Sequence, residues 1–462
     1  MRYISTRGGA PALDFQAVTL AGLASDGGLY VPEHVPALSA GEFRAMAGLD
    51  YVETAVRVMT PFVGDTIPQA DLRALLTQAY ASFDHPAVAP LKQLDGRTWL
   101  LELFHGPTLA FKDFALQVLG LLFERFLANA DRPLTVVGAT SGDTGSAAIH
   151  ALAGRDKVRV VMLHPKGRVS EVQRRQMTTV QAANIRNVAV EGTFDDCQAL
   201  VKAMFNDAPF RAAQNLSAVN SINWARLLVQ VVYYVYAAVR LGAPDRAIAF
   251  AVPTGNFGDV FAGYVAHKMG LPVQQLIVAT NANDILARAL NAGDYSVRTV
   301  APTTSPSMDI QVSSNFERLL FDLCGRDAAQ LRAMMATFEA TRSLQLAADV
   351  RDAAARLFQA YRADEPTTAA TMLAAWMQLH EVIDPHTATG LAAAWASDLP
   401  ADVPLVALAT AHPAKFPDAV QAAIGVTPKL PDRMGDLHAR PERYDVLPND
   451  LAAVQAYVAR AA

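Results

Sequence analysis

Leu134-Thr-Val-Val-Gly-Ala-Thr-Ser-Gly-Asp-Thr-Gly-Ser-Ala-Ala-Ile-His-Ala-Leu-Ala153 decides the fold class of this chain. An apolar, β-branched run at Leu134–Val137 breaks into a Gly/Ser/Thr loop at Ala139–Gly145. Small and apolar residues from Ser146 to Ala153 then repeat at helical spacing. A second unit follows at once, with Val158–Leu163, a Lys/Arg loop and another helix. Strands apolar on both faces that alternate with helices build a parallel sheet covered on both sides.

The pattern returns downstream. Ile248–Val252 runs into Pro253-Thr-Gly-Asn-Phe-Gly258 and a helix through Met269, and Val273–Ala279 and Val403–Ala409 read as further central strands. The expected fold is α/β, with two doubly wound α/β units and parallel-rich sheets behind a mainly helical N-terminal domain. The N-terminal part, residues 1–95, carries amphipathic helices near Glu42–Met59 and Gln69–Ser82. Residues 134–212 form the expected small unit, and 96–133 together with 213–462 the large one. The Ala/Arg/Leu-rich segment from Arg326 to Arg362 reads as helical.

Composition narrows the partners. Among 462 residues, 52% are hydrophobic and 18% charged, and the net charge is −5 with no block of like charges. That balance disfavours nucleic acid and anionic membranes as partners. The most apolar run, Leu227–Val239, includes Gln230 and falls short of the ~20 residues a bilayer span needs, so a buried helix is expected. Cys197 and Cys324 stand in unrelated contexts, which leaves no zinc motif, no expected metal and no disulfide framework. With no apolar leader in Met1–Gly9, a cytoplasmic location is expected.

Lys112 is the first candidate for chemistry. In Gly106-Pro-Thr-Leu-Ala-Phe-Lys-Asp-Phe-Ala-Leu-Gln-Val-Leu-Gly120, helical spacing aligns Leu109, Lys112, Leu116, Leu119 and Phe123, and sets Asp113, Gln117 and Glu124 on a polar face. An ammonium turned toward a core tends to lose its proton, which suits Schiff-base formation with a carbonyl cofactor. A lysine snorkelling from a partly exposed stripe fits the same spacing.

Three loops accompany it. Thr254–Asp259, entering a helix from a buried strand, offers converging amides and a positive helix end for a phosphate. Asn256 and Asp259 also have capping-box spacing, so a simple helix cap fits equally. Thr140–Thr144 offers hydroxyls and amides for a carboxylate or a planar ring, and Thr410, at the end of a buried strand, offers a hydroxyl for a ring nitrogen or a turn. An amine, an anion cup, a ring-nitrogen partner and a carboxylate loop are together what pyridoxal 5'-phosphate requires of a protein.

At these motifs the chain resembles the threonine synthase family, fold-type II pyridoxal-phosphate enzymes. The likeness runs from Gly22-Leu-Ala-Ser-Asp-Gly-Gly-Leu-Tyr-Val-Pro32 through Phe104–Asp113, Ala139–Gly145, Gly192–Gln198, Asn220–Arg226 and Pro253–Asp259 to Ser313–Arg318. The resemblance implies a lyase that converts O-phospho-L-homoserine and water to L-threonine and phosphate. Phosphate leaves from the γ-carbon and water adds at the β-carbon.

By the same resemblance Lys112 carries the cofactor, which Gly255, Asn256, Phe257, Gly258, Asp259, Thr410 and Asp143 contact. Thr140, Ser141, Gly142 and Thr144 face the substrate carboxylate, and Lys166, Arg168, Asn220, Asn223 and Arg226 are candidates for the substrate phosphate. A serine/threonine dehydratase or a β-replacing synthase would share the lysine and loops without needing a second phosphate site, and a non-catalytic cofactor- or metabolite-binding relative would share the fold. A monomer or small homo-oligomer is expected.

Overall fold

Six strands form the larger sheet, in the order Leu91–Gln93, Thr98–Glu102, Leu405–Ala409, Ile248–Pro253, Val273–Thr280 and Phe358–Arg362. Only Leu91–Gln93 runs antiparallel to its neighbour. A second sheet of five parallel strands has the order Asp445–Pro448, Ile185–Glu191, Val158–Pro165, Leu134–Ala139 and Leu216–Ser217. The computed structural model describes residues 1–461. Both sheets are α/β units of the expected kind, and the central strands are buried along nearly their whole length, as continuous apolar runs demand.

The smaller sheet reaches beyond residues 134–212. Its two edge strands come from 216–217 and 445–448, and the helix Leu451–Ala461 packs beside it. Conversely, Leu91–Gln93 leaves the N-terminal part and joins the larger sheet. The strands at 91–93 and 445–448 are short and largely solvent-facing, and 216–217 has only two residues, so no apolar run marks them.

The N-terminal part is mainly helical, with one small antiparallel pairing of Tyr3–Ser5 and Tyr30–Pro32. The helix expected over Glu42–Met59 is two helices, Ala40–Arg44 and Tyr51–Val63. Asp50 starts the second by accepting the Glu53 amide. Likewise 326–362 is two helices, Ala328–Thr341 and Ala348–Ala355, with strands Ser343–Gln345 and Phe358–Arg362. The first helix stops where Arg342 turns left-handed, at φ 57°.

Trp224–Arg240 is the central pillar. Its residues 224–239 are all buried, and it packs against Tyr51–Val63, Lys112–Leu127 and Gly258–Lys268. Among the described residues no helix is long and apolar enough to cross a membrane. Lys112–Leu127 lies against Asp143–Leu152, so the helices that begin at Lys112 and Asp143 run side by side.

Candidate active site

Loops from the carboxyl ends of three parallel strands meet over one cavity of ≈ 680 Å³: residues 140–144, 254–258 and 410–411. This is where open α/β sheets bind ligands. Lys112 lines the cavity with its side chain 12% exposed.

It is the first residue of its helix, and its placement comes from the segment before it. Leu109 is left-handed, at φ 62°, so it lies outside the helix and off the expected stripe. The Phe111 amide donates to the Thr410 carbonyl at 2.8 Å and the His412 amide to Leu109, which pins this segment alongside Thr410. Asp113, expected on a polar face, is fully buried and folds the loop onto itself by accepting the Thr108 amide and hydroxyl, each at 2.7 Å.

Burial lowers the Lys112 pKa; Asp143 opposes that shift, while Lys415 and Arg226 reinforce it. Its Nζ lies 3.5 Å from Asp143 Oδ2. Asp143 is nonetheless held well below the ordinary carboxylate range: burial raises it, and the lysines at positions 415 and 112, His386 and the Gln173 amide outweigh that. An ionised Asp143 is therefore part of the cavity wall.

The 254–258 loop is shaped by a neighbouring turn. The Ser313 hydroxyl donates to the Gly255 carbonyl at 2.8 Å, and the Asn315 side-chain amide to the Asn256 carbonyl at 2.9 Å. In a trans peptide the N–H points opposite the C=O, so the Asn256 and Phe257 amides turn away from that turn. Among the described residues no protein acceptor takes them. Unclaimed amides at the N-terminus of the Gly258–Lys268 helix are suited to an anion.

Phe257 contributes only backbone here, because its ring packs on Phe316 and Phe358. The capping box from Asn256 to Asp259 does not form. The residue before the helix is Phe257, at φ 62°, and the Asp259 carboxylate instead accepts the Tyr233 and Tyr234 hydroxyls at 2.5 and 2.9 Å.

Arg226 is the cavity's buried cation. It is 3% exposed, donates to the Val219 carbonyl at 2.6 Å, leaves its Nε without an acceptor, and has no carboxylate within ion-pair distance among the described residues. Burial lowers its pKa to about 10.

The remaining candidates divide. Ser141, Thr144, Asn220 and Thr410 line the cavity. Thr140 also does, but its hydroxyl is engaged by the Gly142 and Gly145 amides. Gly142 lies off the cavity at φ 137°, where a Cβ would strike the Gln173 side chain. Asn223 is a helix cap that donates to the Thr19 carbonyl. Lys166 is exposed and paired with Glu191, and Arg168 borders a separate depression behind Ser141.

The structure adds residues that the sequence reading left unassigned. Ser307 donates to Asp143 Oδ2 at 3.1 Å, and the Ser307 amide donates to Nε2 of His386, whose Nδ1 faces Asp384 at 2.7 Å. Lys415 lies 3.0 Å from Asp143 Oδ1. The contacts of Ser307 and Lys415 with Asp143 span more than a hundred residues of sequence, and no local periodicity marks them.

Comparison with known proteins places these features in a family. Residues 2–80 match the model "Threonine synthase N terminus", 84–410 "Pyridoxal-phosphate dependent enzyme", and 387–458 "Threonine synthase, C-terminal". The chain is 54% identical to a threonine synthase of Pseudomonas aeruginosa, over 100% of this chain and 98% of that one. Pyridoxal-phosphate-bound threonine synthase from Brucella melitensis superposes with a TM-score of 0.97 at 53% identity, covering 100% and 99% of the two chains. Threonine synthase from yeast gives 0.94 at 39% identity, covering 100% and 98%.

Proposed function

The chain belongs to the threonine synthase family of pyridoxal-phosphate enzymes, and we infer that its cavity converts O-phospho-L-homoserine and water to L-threonine and phosphate. The cavity fits the cofactor on its own residues. The unclaimed amides of the 254–258 loop suit its phosphate, Thr410 its ring nitrogen, and the desolvated Lys112 amine its carbonyl. Pyridoxal phosphate, when bound, supplies an electron sink for a negative charge developing at the substrate α-carbon.

One observation carries the choice of substrate. Arg226 is a second, buried cation in the same cavity with no anion of its own. The loop amides serve the cofactor phosphate, so Arg226 is left for the phosphate of the substrate, where a charge-assisted fork holds the leaving group. A dehydratase or β-replacing enzyme has no phosphate to place there.

Lys112 Nζ, once released from the cofactor, is the group that moves protons at the α- and β-carbons, because it is the cavity amine whose hold on its proton burial weakens. Ser141 and Thr144, at the start of the Asp143–Leu152 helix, offer hydroxyls to the substrate carboxylate, and Asn220 lies on the same wall.

Incubation of the holoenzyme with O-phospho-L-homoserine is expected to yield phosphate and L-threonine in equal amounts, with no ammonia from L-threonine. Ammonia release without turnover of the phosphate ester would assign dehydratase chemistry instead. Two unpaired cysteines agree with a reducing compartment such as the cytoplasm.

A further inference from the structure

Beneath the cavity, Lys415 is completely buried and donates to the Thr108 carbonyl at 2.6 Å and to Gln176 Oε1 at 3.1 Å. Its Nζ also forms an ion pair with Asp143 Oδ1 at 3.0 Å. Asp143 is engaged from several sides. Oδ1 also accepts the Gln173 amide at 2.8 Å, and Oδ2 accepts the Ser307 hydroxyl and faces Lys112. His386, held by Asp384 and the Ser307 amide, is the other titratable group facing this carboxylate. One carboxylate thus stands between two lysines, and the nearer lysine is the one that does not line the cavity.

The order of distances matters for proton transfer. A buried carboxylate with a single cationic partner keeps that partner charged, because losing the partner's proton would leave an uncompensated anion in low dielectric. Lys415 already compensates Asp143, so Lys112 can lose its proton without that penalty.

We propose that Lys415 is a positioning residue of the reaction, whose ammonium compensates the Asp143 carboxylate so that the Lys112 nitrogen cycles between its protonated and neutral forms. The proposal rests on the reading of Lys112 as the cofactor lysine and explains how the fold tunes it. A purely structural Lys415 would act through Thr108 and Gln176, and would leave the proton affinity of the Lys112 nitrogen unchanged.

The test is a pH titration of the visible band of the lysine-bound cofactor in four holoenzymes: native, Lys415→Met, Asp143→Asn and the double variant. A positive charge at 415 disfavours protonation of the Lys112 nitrogen, and a negative charge at 143 favours it. The midpoint is expected about one to two pH units above native in Lys415→Met, a similar amount below native in Asp143→Asn, and back near native in the double variant.

A native midpoint in Lys415→Met overturns the proposal, as does a double variant that stays with Lys415→Met. If Lys415→Met fails to fold, the double variant must still titrate above Asp143→Asn, and Asp143→Asn below native; coincident midpoints overturn it. Absence of the band from native protein would overturn the reading of Lys112 and this proposal with it. A present band with another order of midpoints overturns this proposal alone.

Discussion

Arg226 is a cation in the first turn of a buried helix, where the helix dipole repels it and no carboxylate among the described residues answers it. Such a group lowers the stability of the ligand-free protein and repays it when an anion binds. Replacing Arg226 by Met is expected to reduce kcat/KM for O-phospho-L-homoserine by about a hundredfold, ~3 kcal/mol, mostly through KM. The Tm of the ligand-free protein should be unchanged or higher. Steady-state kinetics and calorimetry on one preparation check both halves, and a lowered Tm with native KM would make Arg226 a packing residue. Asp259 offers a second residue-scale prediction. Burial pushes its carboxyl up to about 6, even with two tyrosine hydroxyls donating to one oxygen, because the other oxygen is buried without a donor. That value lies above the ~3.9 of an unfolded aspartate, so between pH 4 and 6 the folded state holds a proton that the unfolded state has released. Stability from this group is therefore present at low pH and lost as pH rises through that window. Relative to Asp259→Asn, the native protein should lose about 2 kcal/mol between pH 4 and 7 in chemical denaturation, and a constant difference across that range would contradict the assignment.

The helices Lys112–Leu127 and Asp143–Leu152 act as a pair, since each presents a cavity-lining residue at its first position. A close backbone approach sets their spacing: a Cβ on Gly120 would come within 2.4 Å of the Ala151 carbonyl oxygen. Gly120→Ala must push the helices apart or distort one of them. The expected result is a loss of ~1–3 kcal/mol in stability and a several-fold weaker retention of cofactor, read by denaturation and by cofactor release on dialysis. Unchanged cofactor retention would mean that the two helix starts are placed independently. At this scale the sequence was partly legible. The apolar stretches of the central strands and the largely apolar helix around Leu227–Val239 carry their own signal, because burial on every side leaves few polar positions, Gln230 among them. The start of the Lys112 helix was less so. Leu109 continues the helical spacing yet adopts a left-handed turn, held by the Asp113 contacts to Thr108 and the backbone bonds to 410–412. Tertiary bonds overrode a local pattern there, and the same contacts explain why Asp113 is buried.

Across the whole molecule, one cavity collects loops from both sheets and from the N-terminus of the pillar helix. Arg318, fully buried, extends this linkage by donating to the Tyr30 and Ile222 carbonyls and contacting Asn315, which in turn shapes the 254–258 loop. Cofactor binding should therefore stabilise the protein as a unit. At a hundredfold excess over Kd the expected gain is about 2.7 kcal/mol, seen as a single calorimetric transition that moves to lower temperature when the cofactor is removed. That Lys112 and the glycine loops meet at one cavity was suggested by local sequence, because each lies in a contiguous motif. Lys415, Ser307, His386 and the edge strands at 216–217 and 445–448 were not, since their roles exist only once distant segments meet. The chemistry depends on which lysine bears the cofactor, and the fold offers two buried ones within reach of Asp143. Borohydride reduction of the holoenzyme followed by peptide mass mapping decides between them. The expected product is a single pyridoxyl-modified peptide containing Lys112, whereas modification at Lys415 or at any other lysine would contradict the account.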